Sequence, residues 1–261
     1  MIIATMKRIG ILVLFLLVYK MSYCQDTIVN RFCLGLNIGV TNTKISDRYL
    51  NSQIYNNTSV NPWALNFWYL SEDFFHHIKF DKKAFKLKND VDFYEQNYID
   101  YWNYSLQYDF AYSFFKHRDF LRLLAGVSYK GQVSNYDQHY KNSLYYYANG
   151  VKESYDSSIS TVFLGAGGIL NFRGHSLYAN YSYSIVNYGS RPGFDLLNGS
   201  DWFLLSLKEF QSYQAFVEYK KILNHHISFN VQFNIELYKY SNHYELKKIE
   251  SQFLVGLNYE F

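Results

Sequence analysis

The chain has 261 residues, of which 21% are aromatic and only 18% are charged, and it contains two prolines. This composition excludes intrinsic disorder, because it supplies ample apolar surface to bury, and Tyr and Phe favour β-strands. The formal net charge is +3, but the first 24 residues carry three basic and no acidic side chains, which leaves 22 of each sign in the remainder. A nucleic-acid partner is therefore not expected, since its footprint is a basic excess.

The first 24 residues have the order of a secretory signal peptide. Residues 1–8 form a short region with two basic side chains, 9–19 are apolar, and Ser22 and Cys24 place small residues at the −3 and −1 positions of a cleavage site. A spanning helix would need about 20 apolar residues, and Lys20 ends the run too early. A lipoprotein cysteine at Cys24 is disfavoured by the bulky Tyr23 before it. We predict an exported protein, cleaved after Cys24, with a single domain at 25–261.

The body of the chain alternates between apolar and polar residues with a period of two, as a β-strand with two different faces does. The strictest stretch is 227–237, where six apolar residues alternate with Ser, Asn, Gln, Asn and Glu. Seven further segments show the same alternation: 31–41, 102–114, 121–130, 161–172, 176–185, 212–220 and 252–261.

The second face of these segments distinguishes between two all-β folds. A soluble sandwich would carry many charges there, whereas Ser, Asn, Gln, Gly and Thr predominate. Small uncharged polar residues suit a narrow hydrated lumen, and apolar strips of about 9 to 11 residues suit strands that cross lipid. Because an open sheet edge is not tolerated in hydrocarbon, we predict an all-β fold: a closed antiparallel transmembrane up-and-down β-barrel.

Two strand counts are compatible with this pattern. The eight segments alone give eight strands, but then the first loop would run from Asn42 to about Asn97, which is unusually long. Residues 62–70 (PWALNFWYL) and 74–88 can form one more hairpin, joined at 71–73. We therefore prefer ten strands and keep eight as the alternative.

The connections also alternate in length. Those at 116–119, 173–175 and 220–225 are short, and those at 134–157, 187–204 and 239–250 are long and polar. Outer-membrane barrels have short periplasmic turns and long extracellular loops. We therefore expect both ends of the domain to lie on the periplasmic side.

Several short motifs carry a family resemblance. They are LGLNIGV at 34–40, YIDY at 98–101, LLAGVSY at 123–129 and the aromatic Phe261. With the signal peptide, they resemble the small outer-membrane β-barrel family of Gram-negative bacteria, the OmpA-like and PorT-like barrel domains, over about the whole mature chain. The resemblance implies a porin-like barrel in the outer membrane, in contact with its lipid, and a C-terminal signal read by the barrel-assembly machinery during insertion. The residues of that signal would be Phe253, Val255, Leu257, Tyr259 and Phe261.

No catalytic, cofactor-binding or metal-binding residue is predicted. The two His pairs, 76–77 and 225–226, are adjacent in sequence, and neighbours on a strand point to opposite faces, so neither pair can chelate one metal. None of the other His residues falls on a lumen face beside a Ser and a carboxylate. We therefore expect that the protein is not an enzyme and needs no cofactor.

Charged residues of the inward face suggest how the barrel is closed. Arg31 begins the first strand and Glu260 nearly ends the last, while Arg122 and Glu218 lie close to two short turns. In a narrow lumen such charges should pair, because an unpaired buried charge is costly. We predict that these four form a network at the periplasmic end, which Asp109 could join through water.

The loop predicted at 134–157 is rich in Tyr. Aromatic side chains are common at binding surfaces, so the loop could contact a sugar or a protein, or it could pack on itself and on the membrane rim. The tyrosines concerned are Tyr136, Tyr140, Tyr145, Tyr146, Tyr147 and Tyr155.

Three functions follow from this fold. We favour a structural or partner-binding protein whose lumen is filled with side chains, because barrels of eight to ten strands have little room for a pore. The partner would be a protein or glycan that the sequence does not identify. The alternatives are a narrow channel for ions or small solutes and an outer-membrane hydrolase or acyltransferase.

Overall fold

The computed structural model of the chain describes residues 31–47, 53–59, 62–89, 98–117, 120–140, 151–189, 203–205, 210–241 and 245–261. The predicted signal peptide lies outside these residues. They contain twelve β-strands: β1 (Arg31–Asp47), β2 (Gln53–Ser59), β3 (Trp63–Leu70), β4 (Phe74–Asn89), β5 (Tyr98–His117), β6 (Leu121–Tyr140), β7 (Val151–Phe172), β8 (His175–Gly189), β9 (Phe203–Leu205), β10 (Phe210–Ile222), β11 (Ile227–Ser241) and β12 (Glu245–Glu260).

The strands form a closed antiparallel barrel with ten positions around its circumference. β2 and β3 share one position, since both pair with β1 and with β4. β9 and β10 share another, since both pair with β8. The ladder between β1 and β12, from Cys33 opposite Glu260 to Asp47 opposite Leu246, closes the sheet on itself. The predicted ten-stranded barrel is confirmed, and the eight-stranded alternative is wrong.

The additional hairpin lies where the sequence indicated it. β3 and β4 pair along their length and are joined at 71–73, where Ser71 and Phe74 exchange backbone and side-chain hydrogen bonds of 2.9 to 3.1 Å. The backbone N–H of Ser113 also donates to the carbonyl of Asp73 at 2.8 Å, which ties this turn to β5. Residues that the eight-stranded alternative placed in a long first loop therefore lie in strands of the sheet.

The alternating residues take the faces that the period-two pattern predicts. The apolar strips are exposed on the outer wall, where Ile38 is 61% and Phe114 58% exposed. The opposite face is buried in the lumen and is mostly polar, as at Asn37 and Ser228. Irregular register between Ser113 and Phe115 places Phe114 and Phe115 both outward. An apolar exterior around a polar interior is the arrangement that lipid requires.

The two ends of the barrel differ. Short turns lie at one end, here called the periplasmic end, and include Arg173 and Gly174 with φ of 43° and 79°. At the other, the loop end, two expected loops prove shorter: only 141–150 separate β6 from β7, and only 242–244 separate β11 from β12. The expected bounds of 134–157 and 239–250 are therefore wrong. The strands continue above the apolar strips with polar residues on both faces, which removes the period-two signal but not the hydrogen-bond ladder.

Candidate functional site

The lumen holds a buried ionic layer in its loop-end half. Lys83 lies 3.0 Å from Asp81 and is also hydrogen-bonded to Glu250. Lys248 lies 3.1 Å from the other oxygen of Glu250 and donates to Tyr101 Oη at 2.7 Å. These side chains come from β4, β5 and β12 and are all buried, so their charges are compensated within the barrel rather than by solvent.

A second group of side chains extends this layer to the opposite wall. Lys130 of β6 donates to both carboxylate oxygens of Glu236 of β11, each at 2.6 Å. Gln214 of β10 donates to Glu236 at 2.7 Å, and the hydroxyl of Tyr238 donates to Gln132 at 2.7 Å. Together the two groups cross the lumen. The buried charged residues of this half, called the ionic layer below, are Lys79, Asp81, Lys83, Lys130, Glu236, Lys248 and Glu250.

An aromatic layer fills the lumen closer to the periplasmic end. Phe75 and Tyr178, from β4 and β8, have ring centroids 5.0 Å apart, and Trp68 meets Tyr178 edge-on at 5.7 Å. Leu124 and Ile169 pack against these rings, and both are buried. Lys79 connects the two layers. Its Nζ lies 5.9 Å from the ring centroid of Phe216, which packs against the aromatic layer, and it also donates a hydrogen bond to Gln252 at 3.3 Å.

His77 sits on the inward face of β4 beside the aromatic layer. Its Nδ1 lies 2.9 Å from Asp109 Oδ2, its Nε2 lies 3.1 Å from Asn66 Oδ1, and its ring stacks on Trp68 at 4.2 Å. Asp109 also accepts from Gln107 Nε2 at 2.7 Å. Both nitrogens of this imidazole are thus occupied by side chains of the barrel wall. His76, its neighbour, faces outward and contacts Tyr108.

The five predicted residues of the lumen charge network have four separate sets of partners. Arg31 Nη1 lies 4.0 Å from Glu260 Oε2, at the end where β1 meets β12, and Lys220 pairs with the same carboxylate. Glu218 accepts from Gln232 at 3.1 Å and from Asn230 at 3.5 Å. The structure therefore brings Arg31 and Glu260 together and adds Lys220.

Arg122 and Asp109 have other partners. Arg122 Nη1 donates to the carbonyls of Ser71 and Glu72 at 2.8 and 3.2 Å, so this guanidinium holds the β3–β4 turn. Asp109 is bound to His77, at the level of the aromatic layer. That all five residues act as one network closing the periplasmic end stays a prediction.

A cavity of about 160 Å³ opens at the periplasmic end, below the aromatic layer. Phe75, Trp68 and Tyr178 form its floor, while Arg173 and Lys220 stand at its rim. The buried thiol of Cys33, the single free cysteine among the described residues, is also part of its wall. The aromatic layer therefore limits how deep this cavity reaches.

The residues of the predicted assembly signal lie on β12 and its end. Their side chains face outward along the seam with β1, and four of the five are exposed. Phe261 meets Tyr259 edge-on at 4.9 Å, and its backbone N–H donates to the carbonyl of Phe32 at 3.1 Å. The structure gives these residues a position on the lipid-facing wall, and their recognition by an assembly machinery stays a prediction.

The predicted tyrosine surface falls largely on strands rather than in a loop. Tyr136 and Tyr140 belong to β6 and Tyr155 to β7, and Tyr136 lies opposite both Tyr101 and Tyr155 in the register. The expectation of a loop at these three positions is wrong, because β6 and β7 extend well beyond their lipid-facing parts. Tyr145, Tyr146 and Tyr147 lie outside the described residues.

The ionic layer is what sequence reasoning missed. Its β4 members lie in 74–88, where outward residues include Lys82 and His76, so the expected contrast between the faces is weak. A usable signal was present: counting in steps of two from Phe75 gives His77, Lys79, Asp81 and Lys83, all buried. Among the described residues, no group of His, Cys, Asp or Glu side chains could hold a metal ion, and no helix could span a membrane.

Comparison with known proteins supports the fold. No protein family matches the sequence, and none of the curated proteins does. The solved structure of the outer membrane protease OmpT from Escherichia coli is similar over 92% of this chain and 100% of that chain, with a TM-score of 0.53 and 10% identity. At this identity the likeness shows the fold alone, which is that of an outer-membrane β-barrel protein.

Two of the other similar structures have lower TM-scores. Neisserial surface protein A matches over 88% of this chain and 97% of its own, with a TM-score of 0.39 and 9% identity. Ail, the attachment invasion locus protein of Yersinia pestis, matches over 90% of this chain and 100% of its own, with a TM-score of 0.38 and 11% identity.

Proposed function

We propose that the chain is an integral protein of the bacterial outer membrane, of the OmpA-like and PorT-like kind, whose lumen is closed and which acts by binding a partner. The observation that carries this proposal is the pair of side-chain layers that fill the lumen one above the other. A solute would have to pass the bridge between Lys130 and Glu236 and then the rings of Phe75 and Tyr178. Leaving a buried charge without its partner is strongly unfavourable, by about 3 to 5 kcal/mol when one partner is removed, so separating this ion pair opposes conduction.

The length of the strands supports a role outside the membrane. β5, β6 and β7 have 20, 20 and 22 residues, whereas a tilted strand needs about 9 to 11 to cross the hydrocarbon. Because the short turns lie at the periplasmic end, the extra length of these strands projects beyond the membrane at the loop end. Tyr136, Tyr140 and Tyr155 belong to this extra length of β6 and β7, and a protein or glycan partner would contact the barrel at this end.

Conductance measurement tests the closed lumen. Inserted in a planar bilayer, the wild-type protein should show no steady current. A variant that thins both layers, with Phe75, Lys130 and Glu236 changed to Ala, should conduct, while the lipid-facing Leu36→Ala should remain silent. A steady wild-type current carried by small ions would favour the narrow-channel alternative instead.

Crosslinking tests the partner. A photoreactive residue replacing Tyr140, at the loop end of β6, should yield a discrete adduct in the native outer membrane. The same residue replacing Leu223, which is exposed in a periplasmic turn, serves as the matched control and should not. Absence of any adduct at Tyr140 would contradict binding at this end of the barrel.

The proposal assigns the protein no catalytic role. Among the described residues, the pair His77 and Asp109 is the arrangement nearest to a general base, but it is buried and each ring nitrogen already has a side-chain partner. We expect no turnover of lipid or peptide ester substrates by the reconstituted protein. Hydrolysis that His77→Gln abolishes would overturn this assignment.

A further inference from the structure

Within the described part of the chain, Lys79 is the one lysine of the ionic layer that contacts no carboxylate. The other three lysines all form ion pairs: Lys83 with Asp81 and Glu250, Lys130 with Glu236, and Lys248 with Glu250. The polar contact of Lys79 Nζ is with Gln252 Oε1 at 3.3 Å, and its ring contact is with Phe216. An ammonium group has three N–H donors, and the contact with Gln252 uses one of them.

The carboxylates that act on this ammonium from a longer distance are bound by other side chains. Asp81, Glu218 and Glu236 interact with it electrostatically. Asp81 is held by Lys83. Glu236 is held by Lys130, and Glu218 accepts hydrogen bonds from two amide side chains. Burying a charge is costly unless the charge is paired and hydrogen-bonded, and these carboxylates give the ammonium neither kind of contact.

Two amide side chains beside Lys79 also have N–H donors without a partner among the described residues. Gln252 accepts from Lys79 through Oε1, and the Nε2 of the same amide group is buried and makes no hydrogen bond. Asn66 lies directly opposite Lys79 in the register of β3 and β4. Its Oδ1 is 3.1 Å from His77 Nε2, and its Nδ2 is buried and makes no hydrogen bond. Buried donors without an acceptor are rare in proteins and indicate a bound water or ion.

We propose that Lys79, Gln252 and Asn66 bind a small monovalent anion such as chloride inside the lumen. A bound water would need acceptors as well as donors around it, whereas an anion accepts from all three groups and also neutralises the ammonium. Lys79 is 5%, Gln252 1% and Asn66 0% exposed, so the site suits a single-atom ion rather than a larger anionic solute. Because Lys79 connects the ionic and aromatic layers, the anion would strengthen the filling of the lumen. The inference does not depend on the partner proposed above.

The dependence of stability on halide concentration tests the proposal. The wild-type barrel is unfolded reversibly with urea in vesicles of a zwitterionic lipid, in sodium chloride, bromide or gluconate at one ionic strength. An ion that binds only the folded state multiplies the folding constant by one plus its concentration over its dissociation constant. Above that dissociation constant, each tenfold rise in chloride or bromide should raise the folding constant about tenfold. Lys79→Gln should abolish this dependence, while Lys82→Gln, the outward-facing neighbour and matched control, should retain it.

Bromide diffraction locates the ion without any variant, so the proposal stays testable even if Lys79→Gln does not fold. Wild-type crystals grown in bromide should show an anomalous peak within hydrogen-bonding distance of Lys79 Nζ and Gln252 Nε2. A water at this position, or bromide confined to the outer surface, would overturn the site. The same conclusion would follow from equal stability in chloride and gluconate, or from an equal halide dependence of the Lys79 and Lys82 variants.

Discussion

At the scale of single residues, what distinguishes neighbours on a strand is the face they occupy. Lys82 and Lys83 are adjacent on β4, but Lys82 faces outward, with its ammonium 5.3 Å from the ring centroid of Tyr104, and Lys83 is buried between Asp81 and Glu250. An exposed cation on an aromatic ring contributes about 0.5 to 1 kcal/mol. A buried cation that neutralises two carboxylates contributes far more, because its removal leaves their charges uncompensated.

This difference predicts the outcome of two alanine substitutions. Lys83→Ala should lower the free energy of unfolding by about 3 to 5 kcal/mol, the cost of leaving a buried charge unpaired. Lys82→Ala, the control on the same strand, should lower it by about 1 kcal/mol or less. Reversible urea unfolding in lipid vesicles measures both. Similar losses for the two variants would mean that the ionic layer is solvated.

At the scale of strands, the sequence predicted well which side chains face the lipid and which face the lumen. It predicted poorly which side chains meet inside the lumen. The facing of β11 follows from its strict alternation, because lipid and lumen make opposite demands on successive residues. The partners inside the lumen do not follow from any local pattern. Lys130 meets Glu236, and Lys83 meets Glu250, across 106 and 167 residues of sequence. Such contacts depend on strand number and stagger, which the sequence does not display.

Two neighbours on β11 test this facing. Val231 is outward, and Gln232 is buried and donates to Glu218 at 3.1 Å. Val231→Arg should destabilise the barrel by about 2 to 4 kcal/mol, the cost of a cation in hydrocarbon near the midplane. Gln232→Arg should cost less, because the lumen offers Glu218 as a partner. If unfolding in lipid vesicles shows a larger loss of stability for Gln232→Arg than for Val231→Arg, the lipid-facing and lumen-facing sides of β11 would have to be exchanged.

At the scale of the whole molecule, the pairing of β1 with β12, called the seam, closes the sheet into a barrel. Its register runs through Gly256, where a Cβ would collide with the Asn37 side chain and the Leu36 carbonyl, so the inward face at this point has room only for Gly. The seam ends where the backbone N–H of Phe261 donates a hydrogen bond to the carbonyl of Phe32. The C-terminal residues thus contribute both to the lipid-facing wall and to closure.

Deleting Phe261 should therefore impair assembly. The variant loses an exposed aromatic ring, its contact with Tyr259 and one seam hydrogen bond, together with the terminal residue that an assembly machinery would bind. We expect low levels of heat-modifiable protein in outer-membrane fractions and degradation in the periplasm. Phe114→Ala, which removes an exposed aromatic ring elsewhere on the outer wall and retains Phe261, is the control. Wild-type levels after the deletion would show that the terminal residue is dispensable.

The same seam also dictates an order of events during biosynthesis. Cys33 is among the first residues of the sheet to be made and Glu260 among the last, yet they are partners. Until the final strand has been synthesised, β1 keeps an unsatisfied edge of backbone groups, which hydrocarbon does not accept. Ring closure thus joins the two most distant parts of the sheet, and such long-range pairing is slow. Before insertion, the newly made protein must consequently remain open, with unpaired strand edges that can aggregate. It therefore depends on a factor that covers those edges until the barrel closes.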